Sequence, residues 1–266
     1  MPYKISVITP TRNMGRFLET CILGVLMQDY PNCEHIVVDG DSQDNTREIL
    51  KRYPHIKWVS EPDRGLSDAL NKGIRMASGD IIGCCNADDC YLPGAFKVAS
   101  AHYDRRPETM VLYGDYREVD LEGRPLSVKR EIDFDLFILR YLHVNCIPPP
   151  AAFWRKELHD RGFWFDESLQ FAMDYDFLLR VALSRYKFSH VATLLADFRR
   201  HPGTKTSSGG QAAEHLRIVR NQNKLLCSSP ARLASMLQAF LCRCARTKRT
   251  CLRAVRGHYH QQWWHA

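Results

Sequence analysis

Residues 79–90 read GDIIGCCNADDC, a short apolar run that ends in Asn86 and the adjacent carboxylates Asp88 and Asp89. Two neighbouring acids at a strand exit repel each other unless a proton or a cation intervenes. Hard divalent ions bind through one or two carboxylates and complete their shell with water and phosphate oxygens. The pair therefore suits metal-assisted phosphate chemistry. It also suits an ordinary turn, with Asp88 as a cap and Asp89 facing solvent. Other polar residues with chemical potential stand just beyond other apolar runs: Thr9, Thr11 and Asn13, then Asp39 and Asp41, then Glu61, Asp63 and Arg64. The phosphate-binding patterns GxxxxGK[ST] and GxGxxG are both absent.

The elements that must position these residues alternate strand and helix. KISVITP (4–10), HIVVD (35–39), IKWVSE (56–61), DIIGCC (80–85) and MVLYG (110–114) have the apolar, β-branched character of strands. Between them lie helical patterns: one with Leu18, Cys21, Ile22, Val25 and Leu26 on one face, one over 44–53, one over 65–77, and one opened by Pro93 at its first turn. Repeated β–α units of this length predict a mostly parallel sheet covered on both faces. Ligands of such sheets gather at the carboxyl ends of the strands, and that edge is strongly acidic here. Beyond residue 115 the regularity fades. A hairpin is predicted around Glu122-Gly123, a helix over FDESLQFAMDYDFLLRVAL, a strand over KFSHVATLLADFRR and a Gly/Ser-rich loop at 201–210.

The chain has 266 residues, 37 Lys and Arg against 30 Asp and Glu, and 45% hydrophobic residues, ordinary for a soluble globular protein. Residues 215–266 hold ten of the basic residues and none of the acidic ones, so residues 1–214 carry 27 basic against 30 acidic. A basic face for nucleic acid is not expected on the main body. No run reaches the length of a membrane-spanning helix, and the N-terminus lacks the apolar stretch of a signal peptide, so a cytoplasmic protein with ten reduced thiols is expected. In the tail, Leu233, Met236, Leu237, Phe240 and Leu241 form an apolar stripe, followed by Arg243, Arg246, Lys248, Arg249, Arg253 and Arg256 and by Trp263-Trp264. That pattern fits an interfacial anchor on anionic lipid. It also fits a helix packed on the main domain.

The ordered segments ISVITPTRN, IVVDGDSQDNT, SEPDRGLSDALNKGI, ASGDIIGCCNADD and AMDYDFLLR resemble those of family 2 glycosyltransferases, inverting sugar transferases of the nucleotide-diphosphosugar (GT-A) fold. The resemblance covers roughly residues 3–205. It implies a catalytic domain over 1–210, with a nucleotide-sugar-binding half at 1–115 and an acceptor-binding half at 116–210, and a helical tail at 211–266. It places Thr9, Pro10 and Asn13 in the loop that packs on the nucleotide and Asp39 against its base. Arg64 and Asn71 border the donor site, and His201 stands where such enzymes often carry a histidine near the diphosphate. Asn86 takes the first position of the usual Asp-x-Asp, and Asp88 and Asp89 contact ribose and hold a diphosphate-bound Mn2+ or Mg2+. HVNCIPPPAAFWRK (143–156) would form the acceptor pocket, where Phe153 and Trp154 either stack on a sugar or pack in the core.

A sugar hydroxyl is a poor nucleophile, so a carboxylate must take its proton. Asp174 is the candidate. Helical phase turns it inward with Phe177, Leu178 and Val181, and leaves Asp176 outside as a surface partner of Arg180. A plain helix cap is the alternative for Asp174, and an exposed surface residue the alternative for His201. The implied function is transfer from a nucleotide-diphosphosugar, a UDP-sugar foremost, to a glycan or lipid-linked acceptor, with peripheral attachment at the cytoplasmic face of the inner membrane through the tail. The rivals are a sugar-phosphate nucleotidyltransferase, disfavoured because TPTRN offers one Arg and no glycine, and an inactive glycan-binding scaffold, motivated by Asn86.

Overall fold

The computed structural model describes residues 2–142, 147–201, 214–215, 217–218 and 231–255. Strands β1 (Ile5–Thr11), β2 (Cys33–Asp39), β3 (Lys57–Ser60) and β4 (Ile81–Cys84) alternate with helices α1 (Gly15–Leu26), α2 (Thr46–Lys51) and α3 (Leu66–Met76). All ladders among these four strands are parallel. Then follow β5 (Cys90–Tyr91), α4 (Ala95–Arg105), β6 (Thr109–Val119), β7 (Pro125–Lys129), α5 (Leu136–Leu142), β8 (Ala152–Arg155), α6 (Glu157–Asp160), α7 (Met173–Leu183), β9 (Lys187–Arg199) and α8 (Ala231–Val255).

One nine-stranded sheet runs in the order β3-β2-β1-β4-β8-β6-β9-β5, with β7 on β6. β8 lies antiparallel between β4 and β6, and the β6–β7 hairpin and the β5–β9 pair are antiparallel as well. The sheet is thus parallel where β–α units repeat and mixed beyond them. Antiparallel neighbours need no crossover helix, and β6 and β7 are joined by a short turn, whereas β9 returns parallel to β6 after the α6–α7 segment. Pro93 does not open α4. Gly94 caps that helix with φ 83°, a left-handed conformation natural to glycine, and the first helical residue is Ala95.

Because successive strand residues face opposite sides, each strand feeds two cores. Ile8, Ile36, Val38, Ile82 and Trp154 pack with α3 and α7 on one face. Ile5, Val7, Ile81 and Phe153 pack with α1 and α4 on the other. Both aromatics of the expected acceptor pocket are therefore core residues: Phe153 is 0% exposed, and Trp154 is 4% exposed and shows one edge to the cleft described below. Helix α3 approaches β1 closely at Gly73, where a Cβ would stand 2.4 Å from the Ile8 Cγ2.

The tail helix is docked. Ala245 of α8 is fully buried against Ile132, Ile138 and Leu142, and Leu252 packs on the same cluster. The buried Glu131 carboxylate receives Arg249 at 2.9 and 3.1 Å and Arg253 at 3.3 Å, and Lys248 pairs with Asp135. Three of the cations in the expected lipid-facing set thus point at the domain. The stripe is also rotated, since Met236 and Phe240 are exposed while Gln238 is buried. Leu233, Arg256 and the two tryptophans lie outside the described side chains. Among the described residues no helix is long and apolar enough to cross a membrane.

Candidate active site

A cleft of about 790 Å³ opens at the carboxyl ends of β1 and β4. Its walls include Pro10, Thr11 and Arg12 at the end of β1, Asp63 to Leu66 at the start of α3 without Arg64, Asn86 to Asp89 after β4, and Asp174 in the first turn of α7. Ile147, Pro148 and Pro149 close one side, so part of the expected acceptor segment does line it; residues 143–146 lie outside the described residues.

The exit of β4 is built in two layers. Asp89 is 2% exposed. It takes the Arg199 backbone N–H at 3.0 Å and the Asn86 amide at 3.2 Å, one on each oxygen. Burial, then the adjacent Asp88, push its carboxyl well above the ordinary range, and those two hydrogen bonds oppose the shift. Asp88 stands in front. Its backbone carbonyl accepts the Arg199 Nε at 2.9 Å, while its carboxylate faces His201 Nε2 at 3.1 Å. The His201 ring is stacked on Phe17, 5.3 Å between centroids, and its side chain is only 8% exposed, so it is not the surface residue of the alternative reading. Arg199, which sequence reasoning passed over, also donates to the Asp120 and Leu121 carbonyls. It staples the β4 exit to the β6–β7 hairpin. The only signal for it was its place two residues before His201.

These donors fit a hard divalent cation. Asp88 supplies a carboxylate oxygen and His201 an imidazole nitrogen, a mixed set that suits Mn2+ better than the oxygen-seeking Mg2+. Among the described residues no three His, Cys, Asp or Glu side chains converge, so the remaining positions would fall to water and phosphate oxygens. Asp89, expected as a second ligand, is instead bonded through both oxygens behind that pair. Thr11 Oγ1 is buried at the cleft wall with no partner among the described residues, an unmet polar atom that a polar ligand would satisfy.

Several other expected residues serve the frame. Thr9 and Pro10 belong to β1 itself and not to a loop. Thr9 is fully buried, its Oγ1 2.8 Å from His35 Nε2, whereas Pro10 does line the cleft. Asn13 adopts φ 53°; its N–H donates to Ser42 Oγ and its Oδ1 accepts the Gln43 N–H, tying the β1 loop to the β2 loop. Asp39 is fully buried and holds the hydroxyls of Ser42 and Ser60, with the Arg47 Nε at 3.6 Å; it does not line the cleft. Arg64 is turned to Asp68 and Glu167. Asn71 is buried and clamps the Phe165 backbone from both its amide groups.

Asp174 reaches the cleft, partly exposed, and its Oδ1 accepts the N–H of Tyr175. The phase argument failed for Asp176. That residue is 7% exposed, pairs with Arg180 at 2.7 Å inside the protein, and has its carboxyl pushed up by burial against the pull of that arginine. Residues of α7 from Tyr175 to Leu179 are all buried, so the helix has no outward side there. His215, also unforeseen, lines the same cleft, and its ring lies 4.4 Å from that of Tyr175.

Comparisons with known proteins bear on the family and the fold. The family model for glycosyl transferase family 2 matches residues 6–163, more than half of the chain. The chain is 27% identical over 238 residues to the uncharacterized glycosyltransferase EpsJ of Bacillus subtilis, covering 80% of this chain and 66% of that one. It is 23% identical over 182 residues to a chondroitin synthase of Escherichia coli, covering 67% of this chain but 26% of the relative, so it spans between a quarter and two-thirds of these relatives' length. Among solved structures, TarS 1–349 of S. aureus in complex with UDP-GlcNAc superposes with a TM-score of 0.66 at 23% identity, over 82% of this chain and 66% of that chain. The mannosyltransferase PcManGT of Pyrobaculum calidifontis, in complex with GDP-Man and Mn2+, superposes with a TM-score of 0.64 at 20% identity, over 98% and 77%. These likenesses show a GT-A fold.

Proposed function

The chain belongs to glycosyl transferase family 2, and from that premise we propose that it moves a sugar from a nucleotide-diphosphosugar, a UDP-sugar foremost, to a hydroxyl of a glycan or lipid-linked oligosaccharide, with inversion at the anomeric carbon. The product is a cell-surface polysaccharide or its precursor. The observation that carries this reading is that Asp88, paired with His201, and Asp174, on a different element, line one cleft. A leaving diphosphate needs positive charge, and an attacking hydroxyl needs a proton acceptor; Asp88 with His201 offers a place for the one and Asp174 for the other.

Asp88 and His201 would hold Mn2+ or Mg2+, which when bound acts as a Lewis acid on the departing diphosphate. Asp89 keeps Asn86 and the Arg199 backbone in place behind them. Asn86, with an amide where a carboxylate is usual, hydrogen-bonds a ribose hydroxyl. Thr11 offers its unpartnered hydroxyl to the donor. Asp174 accepts the proton of the acceptor hydroxyl as it attacks, and one base acting opposite the leaving group inverts the carbon. Residues 1–115, joined by His201, hold the donor, and the rest of 116–210 holds the acceptor. The outward side of α8, with Met236, Phe240, Arg243 and Arg246, supplies contact with an anionic membrane. Chondroitin-synthesising and TarS relatives support a polysaccharide role, and the nucleotide-sugar complexes of the two solved neighbours support the donor class.

Thermal unfolding of the full chain with UDP-, GDP- and dTDP-sugars, with and without Mn2+, tests the reading. A ligand that binds only the folded state raises the melting point. At least one donor is expected to do so in a manganese-dependent way and to release its sugar. A chain that binds nucleotide yet never releases sugar would be the scaffold instead.

A further inference from the structure

Helix α7 begins without a cap of its own. Its N-cap residue is Ala172, which has no side-chain acceptor for the free N–H groups of the first turn. A residue 42 positions further along the chain instead holds the N–H of the N-cap and of the two residues leading into the helix. Glu214 takes the N–H of Ala172 and of Phe171 on Oε2, both at 2.9 Å, and that of Gln170 on Oε1 at 3.0 Å. A carboxylate on three backbone donors at a helix N-terminus has the favoured charge for that place, and charge-assisted bonds are about twice as strong as neutral ones. Gln170 and Phe171 line the cleft, and Asp174 is two residues past the cap.

The neighbours of Asp174 in the helix are fixed separately. The Tyr175 ring lies against His215, the residue after Glu214, and its hydroxyl donates to the Arg140 carbonyl at 3.3 Å. Asp176 is held by Arg180, which also donates to the Trp164 carbonyl at 2.6 Å. Fixing the start of the helix and the two residues that follow Asp174 restricts where Asp174 can stand.

We propose that Glu214 is a positioning residue for Asp174: its carboxylate, gripping residues 170–172, sets where α7 starts and hence where Asp174 stands in the cleft. This rests on the reading of Asp174 as the proton acceptor. Displacement of a catalytic group by about an ångström costs turnover on the order of a hundredfold without loss of substrate binding. Glu214 therefore acts on kcat and not on donor affinity.

The test compares the full chain with Glu214→Ala, the nearly isosteric Glu214→Gln, the charge-retaining Glu214→Asp and, as control, Asp174→Asn. Turnover is read as total nucleoside diphosphate released to water from a pooled panel of UDP-, GDP- and dTDP-hexoses with Mn2+. Donor affinity is read by titration with UDP and GDP, and the backbone by amide exchange. Glu214→Ala is expected to lower kcat about tenfold or more with nucleotide affinity and donor KM changed less than about twofold, and Glu214→Asp to recover part of the loss. In Glu214→Gln the amides of Gln170, Phe171 and Ala172 should exchange about tenfold faster. Unchanged kcat in Glu214→Ala, a loss of nucleotide affinity in proportion to kcat, or unchanged protection of those three amides overturns the proposal. If Asp174→Asn turns over like the parent, or the parent releases nothing from the pool, the transferase reading fails, and the amide exchange still judges the clamp.

Discussion

His201 Nε2 stands 3.1 Å from the Asp88 carboxylate, although 113 residues separate the two in the chain. The contact exists because Arg199, two residues earlier, is bound through its backbone to Asp89 and through its side chain to the Asp88 carbonyl. The end of β9 is thereby laid across the exit of β4. An imidazole and a carboxylate so placed would, on the proposed reading, share a cation bound beside a diphosphate.

Removing either partner should therefore weaken only the metal-dependent part of nucleotide binding. Asp88→Asn and His201→Ala are each expected to weaken UDP or GDP binding about tenfold or more in Mn2+, roughly 1.4 kcal/mol or above, and to leave binding in EDTA as it was. Titration calorimetry in the two buffers decides it. If His201→Ala keeps the full manganese dependence, the histidine is no part of that site.

Asp174→Asn keeps the shape of the side chain and removes its basicity. Donor binding is expected to match the parent, while transfer falls by about 10²–10⁴, the range for loss of a general base. Weakened donor binding with transfer retained would reassign Asp174 to the donor side.

The sequence announces the strands and their acidic ends because apolar runs with period-two burial and turn residues are local signals. Asp88 stands at such a strand end; Asp174, on a helix, was singled out only through the ordered motifs of the resemblance, and both line the cleft. What failed depended on packing at a distance. The helical-phase argument put Asp176 on the surface, but a helix wedged between the sheet and the 161–166 loop has no free side, and its near-continuous apolar run from Phe177 to Leu179 was the missed clue. Asp39, Asn71 and Thr9 sit where the family pattern puts ligand contacts, yet each is bonded to a residue 21 to 94 positions away. Nothing local in the sequence reports such bonds. Glu214 and Arg199 were missed for the same reason, since their partners are backbone groups far along the chain.

The tail offers a stability test. Glu131 is 2% exposed and is matched by Arg249 and Arg253 from α8. Removing one side of a buried ionic contact leaves the other uncompensated. Glu131→Ala is expected to cost roughly 2–3 kcal/mol in urea unfolding. Truncation after residue 226 should also lower the melting point, because it strips both cations from a buried carboxylate and uncovers Ile138 and Leu142. The tail is thus more than a surface anchor that can be cut off freely. An unchanged melting point would mean that α8 does not dock in solution.

Two buried histidines predict how stability depends on pH. His35 is enclosed beside Thr9, and burial, then the nearby His55, hold its imidazole down at about 3. His159 accepts the Trp154 indole N–H at 2.8 Å, and burial holds it at about 4. A second proton on His159 would have to sit on Nε2 against the Trp154 indole N–H, and His35 Nδ1 has no partner among the described residues. Unfolding frees each ring to titrate near its ordinary value of about 6.5. Stability from both is complete above that pH and is lost as pH falls from about 6.5 towards 4 and 3, because the unfolded chain then binds the extra protons. Each ring contributes a slope of up to about 1.4 kcal/mol per pH unit, so unfolding free energy should fall by roughly 2–3 kcal/mol between pH 7.5 and 5.5. The Thr9 hydroxyl can still pair with an amide in His35→Gln, which should halve that slope whatever its effect on absolute stability. Urea titrations of parent and variant at several pH values in this window measure it, and parallel curves would show that His35 takes up its proton as readily folded as unfolded.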